Sequence, residues 1–334
     1  MERRLFRTLD ARPSDDSMIK PGELVDLVEM TPLTLADRRI YNQLIAHAWE
    51  KIDQGVEHVI NKRELAGNHN GYDRVGESVE RLMAAIVKVR VVRDGKPAIE
   101  RVQLLGSNTE YETPDGQLRY EFPAKLRRII RESTIFARLR LEVMFALSSK
   151  YALALYEMVQ KRGNLTAVTH EEFSLREFRD LLGIPKGRLP IWGNLHQRAI
   201  APAVKEVTAL SDYEVTVEPV KTGRKVTGVR LAWSRKDTES VHLVWNELQR
   251  PRVGRKARLA GIVETVDFVL PALPNGAMPL RANTLEEGRR RFPGYDIYHV
   301  EKEWRDWSAG KEPPRNADAA FLAFFAKYAE RHPL

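Results

Sequence analysis

The sequence predicts an α+β fold in which two successive units, each of three helices and a β-hairpin, precede a helical C-terminal extension. Apolar residues recur at helical spacing in several segments. The pair Asp94-Gly95, which favours a tight hairpin turn, stands between two segments of alternating apolar and polar residues. The same order of helices and hairpin then occurs a second time. Three helices followed by a hairpin are the layout of the winged-helix variant of the helix-turn-helix fold, so we predict tandem winged-helix domains.

The expected organisation has four parts. Residues 1–30 contain Pro and Gly without a clear period and are expected to form an N-terminal arm. The first winged-helix domain is placed at residues 31–145 and the second at residues 146–250. Residues 251–334, which begin with Pro- and Gly-rich segments, are expected to form a linker and a small helical C-terminal extension.

In the first unit, Thr34 is expected to cap a helix, because Asp37 follows it at the spacing of a capping box. Alternating residues on either side of Asp94-Gly95 predict two paired strands, of which the second ends at Leu105. A helix is predicted before them over residues 72–86, where the apolar residues recur at helical spacing: Val75, Val79, Leu82, Met83 and Ile86.

In the second unit, serine residues precede the first two predicted helices. Either Ser148 or Ser149 is expected to cap the first helix, and Ser174 the second, because a serine hydroxyl accepts a hydrogen bond from a backbone N–H of the first turn. Gly183 is expected to end the second helix, since glycine readily takes the left-handed conformation that closes a helix.

The third helix of the second unit is predicted over about residues 193–210, with a hairpin after it. Pro202 lies inside this helix and removes a backbone donor, so the helix is expected either to bend there or to break. The expected tip of the hairpin is Thr222-Gly223. Positions 221–236 contain six Lys or Arg and no acidic residue, which makes the hairpin strongly cationic.

The composition favours a polyanionic partner. The 334 residues include 54 Lys and Arg against 46 Asp and Glu, and a basic protein attracts nucleic acid first. The chain has no cysteine, which excludes a disulfide framework, a thiolate zinc site and a cysteine nucleophile. We expect no signal peptide and no membrane association, because no segment has the roughly 20 apolar residues that cross a bilayer. A cytoplasmic protein is therefore expected.

The motifs of common catalytic sites are missing from the sequence. It has no G-x-x-x-x-G-K-[ST] motif, so ATP hydrolysis by a P-loop is not expected. It has no His-hydrophobic-His pair accompanied by a catalytic tyrosine, and its eight histidines lack metal-ligand spacing. We therefore predict that the protein is not an enzyme and binds no cofactor and no metal. A nicking or helicase enzyme is the alternative from another functional class.

Four segments in the second unit resemble the winged-helix initiator family of iteron-containing plasmids, in the order and spacing of that family. They are LSSKYALALYEMVQK (147–161), SLREFRDLLGIP (174–185), AIAPAVKEVTAL (199–210) and EPVKTGRKVTGVRLAW (218–233). The resemblance extends by layout alone over residues 34–145. The family also has a proline in its third helix, so the resemblance implies a bent but continuous helix at Pro202.

The resemblance implies a sequence-specific DNA-binding initiator of plasmid replication. Monomers of the family bind direct repeats (iterons) in duplex origin DNA and help to open it, and a host initiator and a helicase are recruited. Dimers bind an inverted repeat at the operator and repress the initiator's own gene. The protein would then associate with the nucleoid or the plasmid. The alternative function is a winged-helix transcriptional regulator without initiator activity.

The helix over residues 193–210 is the predicted base-contacting element. A winged helix inserts the first half of its third helix into the major groove, where Arg pairs with guanine and Asn or Gln with adenine. Arg198 is the first candidate, followed by Asn194 and Gln197, and Lys205 lies on the same polar face. The alternative is an ordinary helix with a solvated face.

Phosphate contacts are predicted from three further groups of side chains. Such contacts position the protein on DNA without distinguishing base sequences. The groups are Lys186 and Arg188 before the third helix, Lys221, Arg224 and Lys225 in the hairpin, and Arg74, Ser78 and Arg81 in the first domain. The alternatives are a solubilising hairpin in the second domain and a dimerisation surface in the first.

Two further segments each have two interpretations. The basic helix at residues 125–133 either follows DNA between the domains or simply solvates its own surface. In the C-terminal extension, Trp304, Trp307 or Phe325 could stack on single-stranded bases. We favour the other interpretation, in which these aromatic residues form the core of a small helical unit.

Overall fold

The computed structural model describes most of the chain. The described residues are 6–14, 16–66, 72–111, 116–163, 168–251, 253–259, 280, 282–308, 311, 314 and 317–333. They form two winged-helix domains on one continuous hydrophobic core and a small helical unit with a core of its own. Within these ranges, no helix is long and apolar enough to span a lipid bilayer.

The first domain combines helices with small antiparallel sheets. Its helices are α1 (Gly22–Val25), α2 (Leu35–Ala48), α3 (Lys62–Ala66), α4 (Tyr72–Ala84), α5 (Ala124–Glu132) and α6 (Leu141–Ala146). Its strands are β1 (Ser17–Pro21), β2 (Val28–Glu29), β3 (His58–Asn61), β4 (Ile86–Arg93), β5 (Lys96–Gln103), β6 (Asn108–Glu110), β7 (Gln117–Tyr120) and β8 (Phe136–Arg140). These strands pair in the orders β1-β8, β2-β4-β5 and β3-β7-β6.

Helix α2 begins with the predicted capping box. The Thr34 hydroxyl accepts a hydrogen bond from the Asp37 N–H at 3.2 Å, and the Asp37 carboxylate accepts one from the Thr34 N–H at 2.8 Å. The helix then buries Ile40, Leu44 and Ile45 in the core. Two backbone donors are thus satisfied locally, which explains why the helix begins where the sequence predicts it.

Strands β4 and β5 form the predicted hairpin of the first domain. Asp94 and Gly95 make its two-residue turn with φ angles of 50° and 71°, as a type I′ turn requires. Helix α4 ends at Ala84, before the predicted end at residue 86. Ile86 instead pairs in β4 and is 41% exposed, so its assignment to the apolar helix face was wrong. Pairing with Gln103 of β5 places Ile86 in the strand, although its spacing from Val79 and Leu82 fits a helix.

Residues 17–29 belong to the core, so the expectation of an N-terminal arm is wrong for this segment. Strand β1 pairs along its whole length with β8. Met18, Ile19 and Leu24 are at most 1% exposed. Because β1 is buried at every position, its sequence lacks the alternation that marks a strand with one solvated face.

The second domain repeats the winged-helix layout. Its helices are α7 (Lys150–Arg162), α8 (Leu175–Leu181) and a composite helix of residues 192–210, which consists of α9 (Trp192–Leu195), a π-helical turn (His196–Ile200) and α10 (Ala201–Leu210). Its strands are β9 (His170–Ser174), β10 (Tyr213–Thr222) and β11 (Lys225–Arg235), in the order β10-β11-β9. The β10–β11 hairpin is the wing.

The serine caps and the helix-ending glycine are confirmed. The hydroxyls of Ser149 and Ser174 each accept a hydrogen bond from a backbone N–H of the first turn, at 3.1 Å and 3.2 Å. Gly183 follows α8 with a φ of 68°. A Cβ atom on Gly183 would lie 2.6 Å from a guanidinium nitrogen of Arg38, so the close approach of the first domain also requires glycine there.

The composite helix is continuous and contains a π turn just before Pro202. The Ala201 N–H donates to the His196 carbonyl, five residues earlier. Pro202 has no N–H to donate to the Arg198 carbonyl, and its ring would crowd that oxygen in a regular α-helix. One extra residue in the turn relieves this crowding. The continuous helix implied by the family resemblance is therefore confirmed, with the irregularity in the form of a π turn.

Helix α7 joins the two domains through buried polar contacts. The Glu157 carboxylate accepts hydrogen bonds from the Lys20 ammonium at 2.9 Å and from the Asn42 amide at 2.8 Å. All three residues are buried. Strand β1 and helix α2 of the first domain are thus tied to the first helix of the second domain.

Two short helices follow the wing. They are α11 (Thr238–Gln249) and α12 (Arg255–Leu259). Arg255 and Arg258 of α12 donate to the carboxylate of Glu247 in α11 at 3.1 Å and 2.8 Å. This part of the expected linker is therefore helical, because ion pairs to α11 hold it against the second domain. The Pro- and Gly-rich stretch at 260–279 lies outside the described residues.

The C-terminal unit consists of α13 (Ala282–Arg291), α14 (Ile297–Ser308) and α15 (Ala317–Arg331). Trp304, Phe321 and Phe325 are at most 3% exposed and form its core with neighbouring apolar residues. Trp304 and Phe325 therefore play the structural role that we favoured. Trp307 differs, with 58% of its surface exposed.

Candidate nucleic-acid interface

The composite helix has one buried face and one polar face. The buried face is formed by apolar residues that are each at most 1% exposed: Leu195, Ala199, Ala203, Val207 and Leu210. Asn194, Gln197 and Arg198 are exposed and stand three and four positions apart, which places them side by side on one face. Lys205 is exposed further along the helix. The structure therefore brings two amides and a guanidinium together at the start of this helix.

The loop before the composite helix (residues 185–191) is tied to helix α8 by hydrogen bonds. Leu189 has a φ of 49°, in the left-handed region that costs a side-chain-bearing residue about 1–2 kcal/mol. The Arg179 guanidinium of α8 donates to the Leu189 carbonyl at 2.7 Å and to the neighbouring Arg188 carbonyl. These two bonds hold the loop in the strained conformation and fix where its side chains project.

This loop and the composite helix line one concave surface. Arg188 and Pro190 border it on the loop side, and Asn194 and Arg198 border it on the helix side. Tyr151 of α7 also lines this surface. The predicted phosphate contact at Arg188 and the predicted base contacts at Asn194 and Arg198 therefore line the same surface.

The wing projects a cationic tip. Thr222 and Lys225 are the last paired residues, so Gly223 and Arg224 make the turn, with a φ of 61° at the glycine. The tip thus lies one residue beyond the predicted Thr222-Gly223 pair. Lys221, Arg224 and Lys225 are all exposed there.

The predicted cations of the second domain have no anionic partner in the part of the chain that the structure describes. They are Lys186, Arg188, Arg198, Lys205, Lys221, Arg224 and Lys225. None of their side chains forms an ion pair or a hydrogen bond with another residue of the described ranges. Their charges are exposed to solvent and attract an external polyanion.

The first-domain candidates have a different environment. Ser78 is fully buried and accepts a hydrogen bond from Arg81 at 3.1 Å, so its predicted DNA contact is wrong. The packing of α4 against α2 turns this position inward. Arg81 pairs at 2.9 Å with Asp37, whose side chain is fully buried, and its charge is therefore largely compensated. The side chain of Arg74 lies outside the described residues.

The Asp37–Arg81 pair also determines the protonation state of the aspartate. Burial alone would raise the pKa of Asp37, but hydrogen bonds from Arg81 and from the Thr34 backbone outweigh that effect and lower the pKa. Asp37 therefore stays ionised and keeps Arg81 in place.

The basic helix α5 is also paired within the first domain. Arg128 donates to Glu100 at 2.8 Å, and Arg131 donates to Asp53 at 3.2 Å. These partners favour the interpretation in which α5 is a structural helix with a solvated surface rather than a track along DNA.

Two residues near this surface, Ile191 and Arg179, were not predicted from the sequence. Ile191 is the last residue of the loop, directly before the composite helix, and its side chain is 65% exposed. A single apolar residue in a sequence is expected to be buried, and nothing in the neighbouring residues indicates that this isoleucine is exposed. Arg179 lies in a charged helix and donates to backbone carbonyls. Because every residue has a backbone carbonyl, the sequence does not show which residue its partner is.

Winged-helix proteins bind duplex DNA by inserting the helix before the hairpin into the major groove, and here that helix has an exposed polar face beside a cationic wing tip. The fold and the site thus define a DNA-binding protein with two winged helices. Two family models match it: "Initiator Replication protein, WH1" over residues 18–160 and "Initiator Rep protein, WH2" over residues 174–233. Together they cover more than half of the chain, which therefore belongs to the family of plasmid replication initiators.

Among solved structures, the chain is similar in fold to the crystal structure of the Pi initiator protein in complex with iteron DNA. The two sequences are 14% identical, and the TM-score is 0.48 over 67% of this chain and 99% of that chain. Comparison with curated proteins gives no match.

Proposed function

We propose that this protein initiates plasmid replication by binding direct repeats in duplex origin DNA and promoting the opening of the origin. The observation that carries the proposal is a set of exposed cations around the polar face of the composite helix, none of which forms an ion pair with another described residue. Arg81 of α4 and Arg128 of α5, by contrast, are paired with acidic residues of the first domain. A duplex is the polyanion that a winged helix accommodates, and the family of the chain is one of DNA-binding initiators.

In this proposal the residues have two kinds of role. Arg198, Asn194 and Gln197 contact base edges in the major groove. The phosphate contacts come from the loop, the wing and the rest of the composite helix, with a further contact from the first domain: Lys186, Arg188, Lys205, Lys221, Arg224, Lys225 and Arg74.

Footprinting with the full-length protein on the DNA that flanks its gene tests the proposal. We expect protection of tandem repeats, and an affinity that falls steeply with salt. Seven phosphate contacts would give a slope of log K against log salt concentration of about −6. No protected repeats at low salt would contradict the proposal.

We further propose that a dimer binds an inverted repeat at the operator and represses the gene. One face of the β4–β5 hairpin supports a second copy as the partner, because Val92 and Ile99 project from it and are 66% and 57% exposed. Strand β5 ends its sheet among the described strands, so its edge can pair with another strand. Ile99→Lys should abolish dimers in sedimentation and repression of the operator while leaving binding to single repeats intact.

The proposal also includes recruitment of a host initiator and a helicase. Origin opening with purified host proteins tests this step. A plasmid-maintenance assay separates the proposal from the alternative of a transcriptional regulator. An origin fragment plus this gene should replicate in a host, whereas a regulator would bind its operator without supporting replication.

A further inference from the structure

We propose that Ile191 determines part of the sequence specificity by contacting the C5-methyl group of a thymine in the major groove. The inference rests on the proposed function, because it requires the composite helix to enter the groove. It adds an apolar base contact to the polar ones at Asn194 and Arg198.

The position of Ile191 supports this role. Single exposed apolar residues are common on protein surfaces, so 65% exposure alone says little. Along the chain, however, Ile191 directly follows Pro190 and precedes Asn194 by three residues, and both of these line the concave surface. An exposed apolar residue thus lies in the chain between a proposed phosphate contact and a proposed base contact.

The backbone of Ile191 is held on both sides. Its carbonyl accepts a hydrogen bond from the Leu195 N–H at 3.0 Å, which begins the composite helix. On the other side, Arg179 holds the carbonyls of the preceding loop. The β-branched side chain has restricted χ1 freedom. Little conformational entropy is therefore lost when this side chain meets DNA.

The chemistry of the major groove identifies the partner. Thymine is the only base that displays a methyl group there, and proteins recognise it by apolar contact. A guanidinium or an amide cannot make this contact favourably. Ile191 therefore complements Arg198 and Asn194, which suit guanine and adenine.

Replacement of thymine by deoxyuridine removes only this methyl group and provides the test. The probe is the duplex that the full-length protein selects from a random pool, with each thymine replaced in turn. At one or two positions the replacement should weaken binding of the wild-type protein about three- to five-fold, the effect of one buried methyl group. Ile191→Ala should be insensitive to the replacement at those positions, and Ile191→Val should lie between the two.

The matched control is Ile135→Ala, which removes an exposed isoleucine of the first domain that is 45% exposed. It should keep the full sensitivity to deoxyuridine. The inference is overturned if Ile191→Ala keeps the wild-type sensitivity, or if no thymine position shows any. Failure to select a duplex at all would instead contradict the proposed function.

Discussion

Ion pairing separates the cations that stabilise this fold from those available to DNA. Arg81 and Arg128 have guanidinium groups that contact carboxylates of the first domain. Arg198 and Lys225 have the same charge and also reach solvent, but no carboxylate of the described residues neutralises them. Arg198 lies on the polar face of the composite helix, whereas Lys225 lies at the tip of the wing. These different positions predict different effects on DNA binding.

Arg198→Ala and Lys225→Ala should therefore weaken DNA binding in different ways. Loss of a bidentate base contact by Arg198→Ala should cost about 1–3 kcal/mol on the selected duplex and relax one base position. Lys225→Ala should weaken selected and random duplexes alike and reduce the salt slope by about one. Affinities on both duplexes across a salt series give these quantities.

Lys327→Ala is the matched control for this pair, because it removes one exposed charge from α15 of the C-terminal unit. It should leave both affinities almost unchanged. Identical effects of Arg198→Ala and Lys225→Ala on the two duplexes would refute the division between base and phosphate contacts.

At the scale of elements, the π turn decides where the proposed base contacts point. One residue rotates an α-helix by about 100°, so closing the π turn would turn residues 192–195 away from their present direction. Leu195 and Ala199 are each 1% exposed and favour the observed register. Pro202 excludes the competing α-helical hydrogen bond to the Arg198 carbonyl.

Pro202→Ala should restore that competing register and reduce the preference for the selected over a random duplex several-fold. The thermal midpoint should fall by several degrees, because the competing register turns the buried Leu195 away from the core. Pro97→Ala, an exposed proline of β5, serves as the control and should keep the preference. An unaltered preference in Pro202→Ala would show that the proline does not set the register.

At the scale of the whole molecule, buried charges connect the two domains. Lys20 and Glu157 have side chains that are 5% and 2% exposed and lie 2.9 Å apart. Burial lowers the pKa of Lys20, and the neighbouring Glu157 opposes that shift. An unpaired charge in this place would be strongly unfavourable, so both partners are needed together.

Lys20→Met should reduce the free energy of unfolding by about 3–5 kcal/mol, because it leaves the Glu157 carboxylate buried without its cation. The double variant Lys20→Met/Glu157→Leu should recover most of this loss, since it removes both charges. Urea unfolding of the three proteins measures these differences. A double variant as unstable as the single one would mean that packing, not the unpaired charge, causes the loss.

A second junction predicts acid sensitivity. Asp26 pairs with Lys161 at 2.6 Å and with Arg162 at 2.9 Å, both in α7. Burial acts to raise the pKa of Asp26, but the charges of Arg162 and Lys161 outweigh it and lower the pKa. Because the unfolded chain then binds the proton more tightly, the contribution of Asp26 to stability is complete above about pH 4–5 and is lost as the pH falls further.

Asp26→Asn should therefore destabilise the protein near neutral pH and flatten the acid limb of its stability profile. Unfolding free energies measured between pH 3 and pH 7 test this. Asp10→Asn, at an exposed site near the N-terminus, should leave the profile unchanged. An acid limb in Asp26→Asn as steep as in the wild-type protein would contradict the assignment.

The sequence was sufficient for features that depend on neighbouring residues. The caps at Thr34, Ser149 and Ser174 and the turn at Asp94-Gly95 form within a few positions of each other, so local chemistry determines them. The exposed polar face of the composite helix also follows from spacing alone. Its π turn was predictable only as an irregularity at Pro202, because the form of the irregularity depends on which side chains are buried.

The tertiary structure alone decided which predicted contacts are available. Ser78 is buried and Arg81 is paired because α4 packs on α2, which the spacing within α4 does not specify. The segment 17–29 enters the core because β8, more than a hundred residues later, pairs with it. Burial and charge pairing are set by segments distant in the chain. Local sequence therefore determined the helices, caps and turns of this protein. The packing of these elements determined which cations pair with carboxylates and which do not, among the described residues.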